Sequence, residues 1–324
     1  MLACAIMFAA RRGTEAGENP VTGATCYVGG RLVPLLLERS HEVRTTTSDP
    51  DREPPWWGDG VETLVMDALD ATNLVNGARA HEVGRIIYLS GVVPDVADEE
   101  LSAHLVSRRE VERILSDGPA LAVILRAAVL IGSGSTSFEV IRQVSKRMPV
   151  HTVPTWMDSL VQPIAVVDVL EALVGALAYR GPSRHFDVGG PDRLSYGALL
   201  DAYTTHAGLT RPQVDVPLLP TALVGTLVGS LTDVPRRTVE ALVESLRHDM
   251  VAADDDFRDL MRPEHQLMGL NEAFRRASAP SPAQPQDGDP MGPLPQDPAW
   301  AGGGDDRPAV AKVVDAVRDV LPEA

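Results

Sequence analysis

Cysteine is almost missing from this chain. The 324 residues include two, Cys4 and Cys26. Two thiols make no disulfide framework and no metal-ligand spacing, and a cytoplasmic location is the expectation. Basic residues are also scarce, with 29 Lys and Arg against 45 Asp and Glu, a formal charge of −16. An acidic surface repels phosphate backbones and anionic lipid, so nucleic acid and membrane surfaces are not expected partners. No apolar run reaches the ~18 residues a spanning helix needs. The opening MLACAIMFAARR carries its charge after the apolar stretch, the reverse of a secretory signal. The eight histidines form no metal-binding pairs, no lysine follows GSGSTS (132–137) at P-loop spacing, and no internal repeat is visible.

The chain does hold an alternation of strand and helix patterns. RLVPLLLERS, after Gly30, reads as a helix with Pro34 in its first turn, HEVRTTTS as a strand, and VETLVMD as another. A helix follows from about Ala71 to His81, then the buried strand RIIYLSG at 85–91. HLVSRREVERILSD has helical periodicity, and LAVILRAAVLIG at 121–132 is a further buried strand. Near-continuous apolar strands between helices indicate a parallel sheet covered on both faces. The fold class read from this is α/β, a Rossmann-like doubly wound parallel sheet with a small C-terminal lobe. The expected divisions are an irregular segment at 1–20, a nucleotide-type domain at 21–165 and a mixed α/β and helical lobe at 166–276. Residues 277–308, with eight prolines, read as a disordered or extended linker, and 309–324 as an amphipathic helix.

VTGATCYVGG (21–30) has the spacing of a dinucleotide turn. In such a turn Gly23 makes the tight bend, Gly29 lets the helix pack on the strand, and phosphate rests on N–H groups near Tyr27. Cys26 stands where a glycine usually allows close backbone approach. At a positive φ it would cost roughly 1–2 kcal/mol. A strand-to-helix turn that binds nothing is the bland alternative.

Together the stretches TGATxYVGGRLVPLLLERSHEVR, RIIYLSG, HLVSRREVERIL, LRAAVLIGSGSTSFEVI, QPIAVVDVLEAL and HFDVGGPDRLSYGAL resemble the atypical short-chain dehydrogenase/reductases, in particular their NmrA-like, epimerase/dehydratase-like NAD(P)-binding group. The resemblance implies NAD(P)(H) as cofactor, held weakly or even lost, and an unknown small-molecule carbonyl or hydroxyl substrate. It implies cofactor contacts from Gly23, Thr25, Cys26, Tyr27, Gly29, Ser48, Asp67 and Ser90. The Tyr-x-x-x-Lys pair of the wider superfamily is replaced by His104 and Arg108. Histidine would move a proton near neutral pH, and arginine would hold a ribose hydroxyl or a phosphate.

Two further departures surround the same site. Strand one is poor, because only Val21 and Thr22 follow the polar, proline-ended RGTEAGENP. Strand four is missing, because the 18 residues from Asp67 to Arg85 hold one helix and no strand. The apolar N-terminus is a less favoured source of strand-one residues, since it would need a long detour. The readings left open are an NAD(P)-dependent oxidoreductase or epimerase-like enzyme, a non-catalytic dinucleotide sensor or scaffold with a degenerate site, and a degenerate product with little stable fold.

Overall fold

The sheet at the centre of the molecule has seven strands, and one of them comes from an unexpected place. The computed structural model describes residues 7–11, 19–49, 51, 55–65, 71–216 and 220–302. Strands β1 (Met7–Arg11) and β2 (Asn19–Val21) lead to helix α1 (Gly29–Glu38), then β3 (Val43–Thr47), β4 (Glu62–Val65), α2 (Ala71–Ala80) and β5 (Val83–Gly91). Helix α3 (Ala103–Ser116), β6 (Leu121–Ala127), β7 (Val129–Ile131) and α4 (Thr136–Arg147) follow. The lobe adds β8 (His151–Pro154), β9 (Leu160–Val161), β10 (Pro163–Ala165), α5 (Val166–Ala176), β11 (Arg184–Val188), β12 (Leu194–Ser195), α6 (Tyr196–His206) and β13 (Gln213–Val216). Helices α7 (Thr221–Leu231), α8 (Arg236–Ser245) and α9 (Leu270–Ala277) complete it.

The order across the main sheet is β11-β6-β5-β1-β2-β3-β4. Its pairings are parallel except those of β1, which runs antiparallel to both β2 and β5. Strand one is as poor as the sequence suggested, three residues long. The strand-four place is filled all the same. MFAAR occupies it, with Phe8 beside Val21 and the whole of β1 along β5 from Met7↔Tyr88 to Arg11↔Val83. The expectation of a vacant place is therefore corrected, and the reason is chain direction. An antiparallel strand needs no crossover helix, so a short connection suffices to bring it beside its neighbour.

A second correction concerns Pro34, which lies in the second turn of α1 rather than the first. There its missing N–H leaves the carbonyl of Gly30 without its i+4 donor. The amide of Gln296 donates to that carbonyl at 3.1 Å. The region expected to be a loose linker is thus packed through residue 302. Met291 and Leu294 are buried, the Ser133 N–H donates to the Met291 carbonyl, and the Arg142 side chain donates to the Gly302 carbonyl. The proposed C-terminal helix at 309–324 lies outside the described residues.

One core unites the sheet, α1, α4, α5 and α6, and α5 is buried along most of its length because helices and loops cover it from both sides. Glu171, on α5, ties distant pieces together by accepting from Arg39 at 2.5 Å and from Arg262 at 2.7 Å. In the lobe, β10 pairs with β7, β12 with β9 and β13 with β8. The turn at 189–192 is a packing turn: a Cβ on Gly190 would stand 2.0 Å from the Pro163 carbonyl oxygen. No helix among the described residues is long and apolar enough to cross a membrane.

Candidate dinucleotide cleft

The glycine turn keeps its backbone geometry. Gly23 has φ +66°, the left-handed region that glycine enters without steric cost. A Cβ on Gly29 would fall 2.1 Å from the Gly23 carbonyl oxygen, so glycine is obligatory there. Cys26 is not among the positive-φ residues, and the strain considered for it does not arise. Its N–H donates to the Gly23 carbonyl at 2.9 Å and its carbonyl accepts from Gly30 at 2.8 Å. Helix α1 begins without a side-chain cap, and the N–H groups of Gly30, Arg31 and Leu32 donate back to the carbonyls of Cys26 and Val28. The glycine geometry fits the turn of a dinucleotide site, in which the backbone at Ala24 to Val28 would be the phosphate cradle.

Thr25 is half-buried in the same turn. Tyr27 turns away from the cradle. Its ring lies under the Arg31 guanidinium at 4.1 Å, and burial pushes its hydroxyl pKa up. The expected role of Tyr27 therefore narrows to its backbone. Ser48 is exposed just beyond β3, at the carboxyl edge where a ribose would lie. Asp67 lies outside the described residues. Arg44 pairs with Glu62 at 2.7 Å, one strand away in register.

Ser90 and Gly91 end β5, and α3 brings Arg108 beside Gly91. Ser102 starts that helix by accepting from the Leu105 N–H at 3.3 Å. The Arg108 guanidinium sits over Gly91, where an added Cβ would meet its Cζ at 3.5 Å. Arg108 donates from Nε to His104 Nε2 at 2.9 Å. Since arginine donates only, His104 must accept at Nε2 and carry its proton on Nδ1. Burial and the Arg108 cation push its pKa down to about 4. The expectation of a histidine that exchanges a proton near neutrality is corrected: this imidazole is neutral there. One turn further along α3, Glu112 pairs with Arg126 on β6.

The sequence reading missed Arg31. Its side chain is fully buried and spends its donors on the carbonyls of Pro290 (2.7 Å), Ser133 (2.8 Å), Gly292 and Tyr27 (both 3.1 Å), and on Asp297 (2.6 Å). It fastens the segment 290–297 to the flank of the turn helix. An arginine in an otherwise apolar stripe, three residues before a helix-breaking proline, was the available signal. Trp56 belongs to the same seam, donating from Nε1 to Gln296 at 3.3 Å, while Trp57 is buried beside it. Among the described residues no group of side chains could hold a metal ion.

The fold has counterparts among known proteins. Residues 20–115 match the model of the NAD dependent epimerase/dehydratase family. The fold is of the Rossmann type. No curated protein matches the chain in sequence. Among solved structures, an NADPH-dependent quinone oxidoreductase from Escherichia coli is similar with a TM-score of 0.62 at 14% identity, covering 78% of this chain and 97% of that one. A nucleoside-diphosphate-sugar epimerase from Pseudomonas aeruginosa gives 0.61 at 14% identity over 82% and 96%. The UDP-glucose 4-epimerase of Thermus thermophilus, in complex with NAD, gives 0.53 at 16% over 78% and 95%. At these identities the likeness is one of fold.

Proposed function

We propose that the chain is an NAD(P)-binding oxidoreductase acting on a small carbonyl or hydroxyl compound. The observation that carries this reading is Arg108, hydrogen-bonded to His104 and standing beside Gly91, at the carboxyl edge where a Rossmann sheet receives its nicotinamide. A bound nicotinamide would supply or accept hydride. The protein's part is to orient and polarise. With its proton fixed on Nδ1, His104 is a neutral donor suited to a carbonyl oxygen, as neutral imidazoles serve elsewhere. Arg108 locks that tautomer and would hold a ribose hydroxyl. The backbone at Ala24 to Val28 and the exposed edge at Ser48 would receive the pyrophosphate and adenosine ribose. The glycine geometry at Gly23 and Gly29 supports an NAD(P)(H) site that has been kept.

A second reading, a non-catalytic dinucleotide sensor, has one observation in its favour: no group at the tyrosine position both gives and takes a proton near neutrality. Nicotinamide absorbance in the presence of a panel of small aldehydes, ketones and quinones separates the two. Turnover that falls at least tenfold in His104→Phe, with nucleotide affinity unchanged, supports the enzyme. Saturable nucleotide binding without turnover across the panel supports the sensor.

A further inference from the structure

A cavity of about 180 Å³ lies in the lobe between α4, β8, α6 and the α7–α8 hairpin. Val144, Met148, Leu200, Val228 and Leu231 line it together with His151, and none of its lining residues belongs to the dinucleotide cleft. The wall is apolar apart from His151 and the edges of Thr152, Trp156 and Tyr196, and it includes no acidic or basic side chain other than that histidine. Helix α7 explains why the space stays open. Gly225 and Gly229 let α7 approach α8 closely, since added Cβ atoms would stand 3.3 Å from Glu240 and 2.9 Å from Arg236. With its small residues committed to α8, the α7 stripe Val224, Leu227, Val228 and Leu231 faces the cavity.

His151 is the anomaly in this wall. It is 1% exposed, yet neither ring nitrogen has a hydrogen-bond partner, while its backbone N–H donates to the Pro212 carbonyl. A buried polar group without a partner costs about 1–3 kcal/mol, so a partner is called for. The space is of the order that holds a single ring, since a cavity of about 150 Å³ accommodates benzene. A charged ligand would find no counter-charge in the wall. We infer that this cavity is a binding site for a neutral apolar molecule of about one substituted six-membered ring, whose single hydroxyl hydrogen-bonds the His151 imidazole. The site rests on none of the cleft residues, and it stands whether or not the cleft binds a dinucleotide.

Isothermal titration of the full chain with p-cresol and with toluene tests this, because the two differ only in the hydroxyl. The wild-type protein should bind p-cresol saturably at one site. His151→Phe, which keeps the ring and removes both nitrogens, should weaken p-cresol about tenfold without weakening toluene. Val228→Trp, which fills the space, should abolish binding of both. Absence of saturable p-cresol binding in a cooperatively melting wild type would overturn the inference. So would p-cresol affinity that is unchanged in His151→Phe. If that variant does not fold, the wild-type His151 ring nitrogen resonances decide: p-cresol must move them more than toluene does, and equal effects refute the hydrogen bond.

Discussion

On one side of the sheet β5, β6 and β11 run nine, seven and five residues, and most of β5 and β6 is buried. On the other side β2 has three residues, and β4 exposes all four of its own. The long side supports itself, by parallel pairing and by the packing of α2, α3 and α5. The short side, which carries the glycine turn, is held by borrowed parts. Strand β1 completes its hydrogen bonding, Gln296 serves the carbonyl that Pro34 orphans, and Arg31 draws in the chain at 290–297. A glycine turn can therefore keep its backbone geometry although the local strands that frame it are short, because distant segments supply the missing hydrogen bonds.

The largest disturbance to this contrast should come from β1. Ala9→Pro removes an N–H from a strand paired on both sides, in the middle of a sheet where proline is not tolerated, and should destabilise more than any substitution below. Denaturant unfolding should show it, and amide exchange should rise in β2 and β3 more than in β6. Arg31→Met leaves the buried Asp297 carboxylate unpaired and should cost about 3–5 kcal/mol. Adding Asp297→Leu should recover part of that loss, which a double-mutant cycle would measure.

A smaller and pH-dependent effect is expected at Glu171, which joins α1 to the lobe. Burial alone would raise its carboxyl, but hydrogen bonds from Arg262 and Arg39 outweigh it and hold the pKa at about 2. A depressed folded pKa contributes stability above the ordinary carboxylate range, and that stability is lost as pH falls toward 2. Glu171→Gln should thus cost about 1–3 kcal/mol at neutral pH, allowing for the exposure of Arg262, and the penalty should shrink below about pH 4. Thermal melts of both proteins across that range would read it.

The long side was legible in the sequence because its signals are local. RIIYLSG and LAVILRA announce buried strands by apolar continuity, and the periodicity of HLVSRREVERIL placed α3 at Ala103. The short side was not, because each of its supports is remote. MFAAR is too short to declare its neighbours, and nothing near Asp67 and Arg85 says that a strand from the N-terminus will stand between β2 and β5. The proline-rich stretch resembles a linker by composition, and only its contacts with Arg31 and Gly30 show otherwise. The sequence placed His104 and Arg108 one turn apart, but not the shielding and the Arg108 bond that keep the imidazole neutral.

The account turns on whether the borrowed framework keeps a working phosphate cradle. Titration of NADPH and NADH into the intact protein, following nucleotide fluorescence and thermal unfolding together, addresses that most directly. We predict saturable binding with a rise in melting temperature, and its loss in Gly29→Ala, where the new Cβ would meet the Gly23 carbonyl oxygen at 2.1 Å. A cooperative melt that millimolar nucleotide leaves unmoved would contradict the account, and the turn would then be a strand-to-helix connection and nothing more.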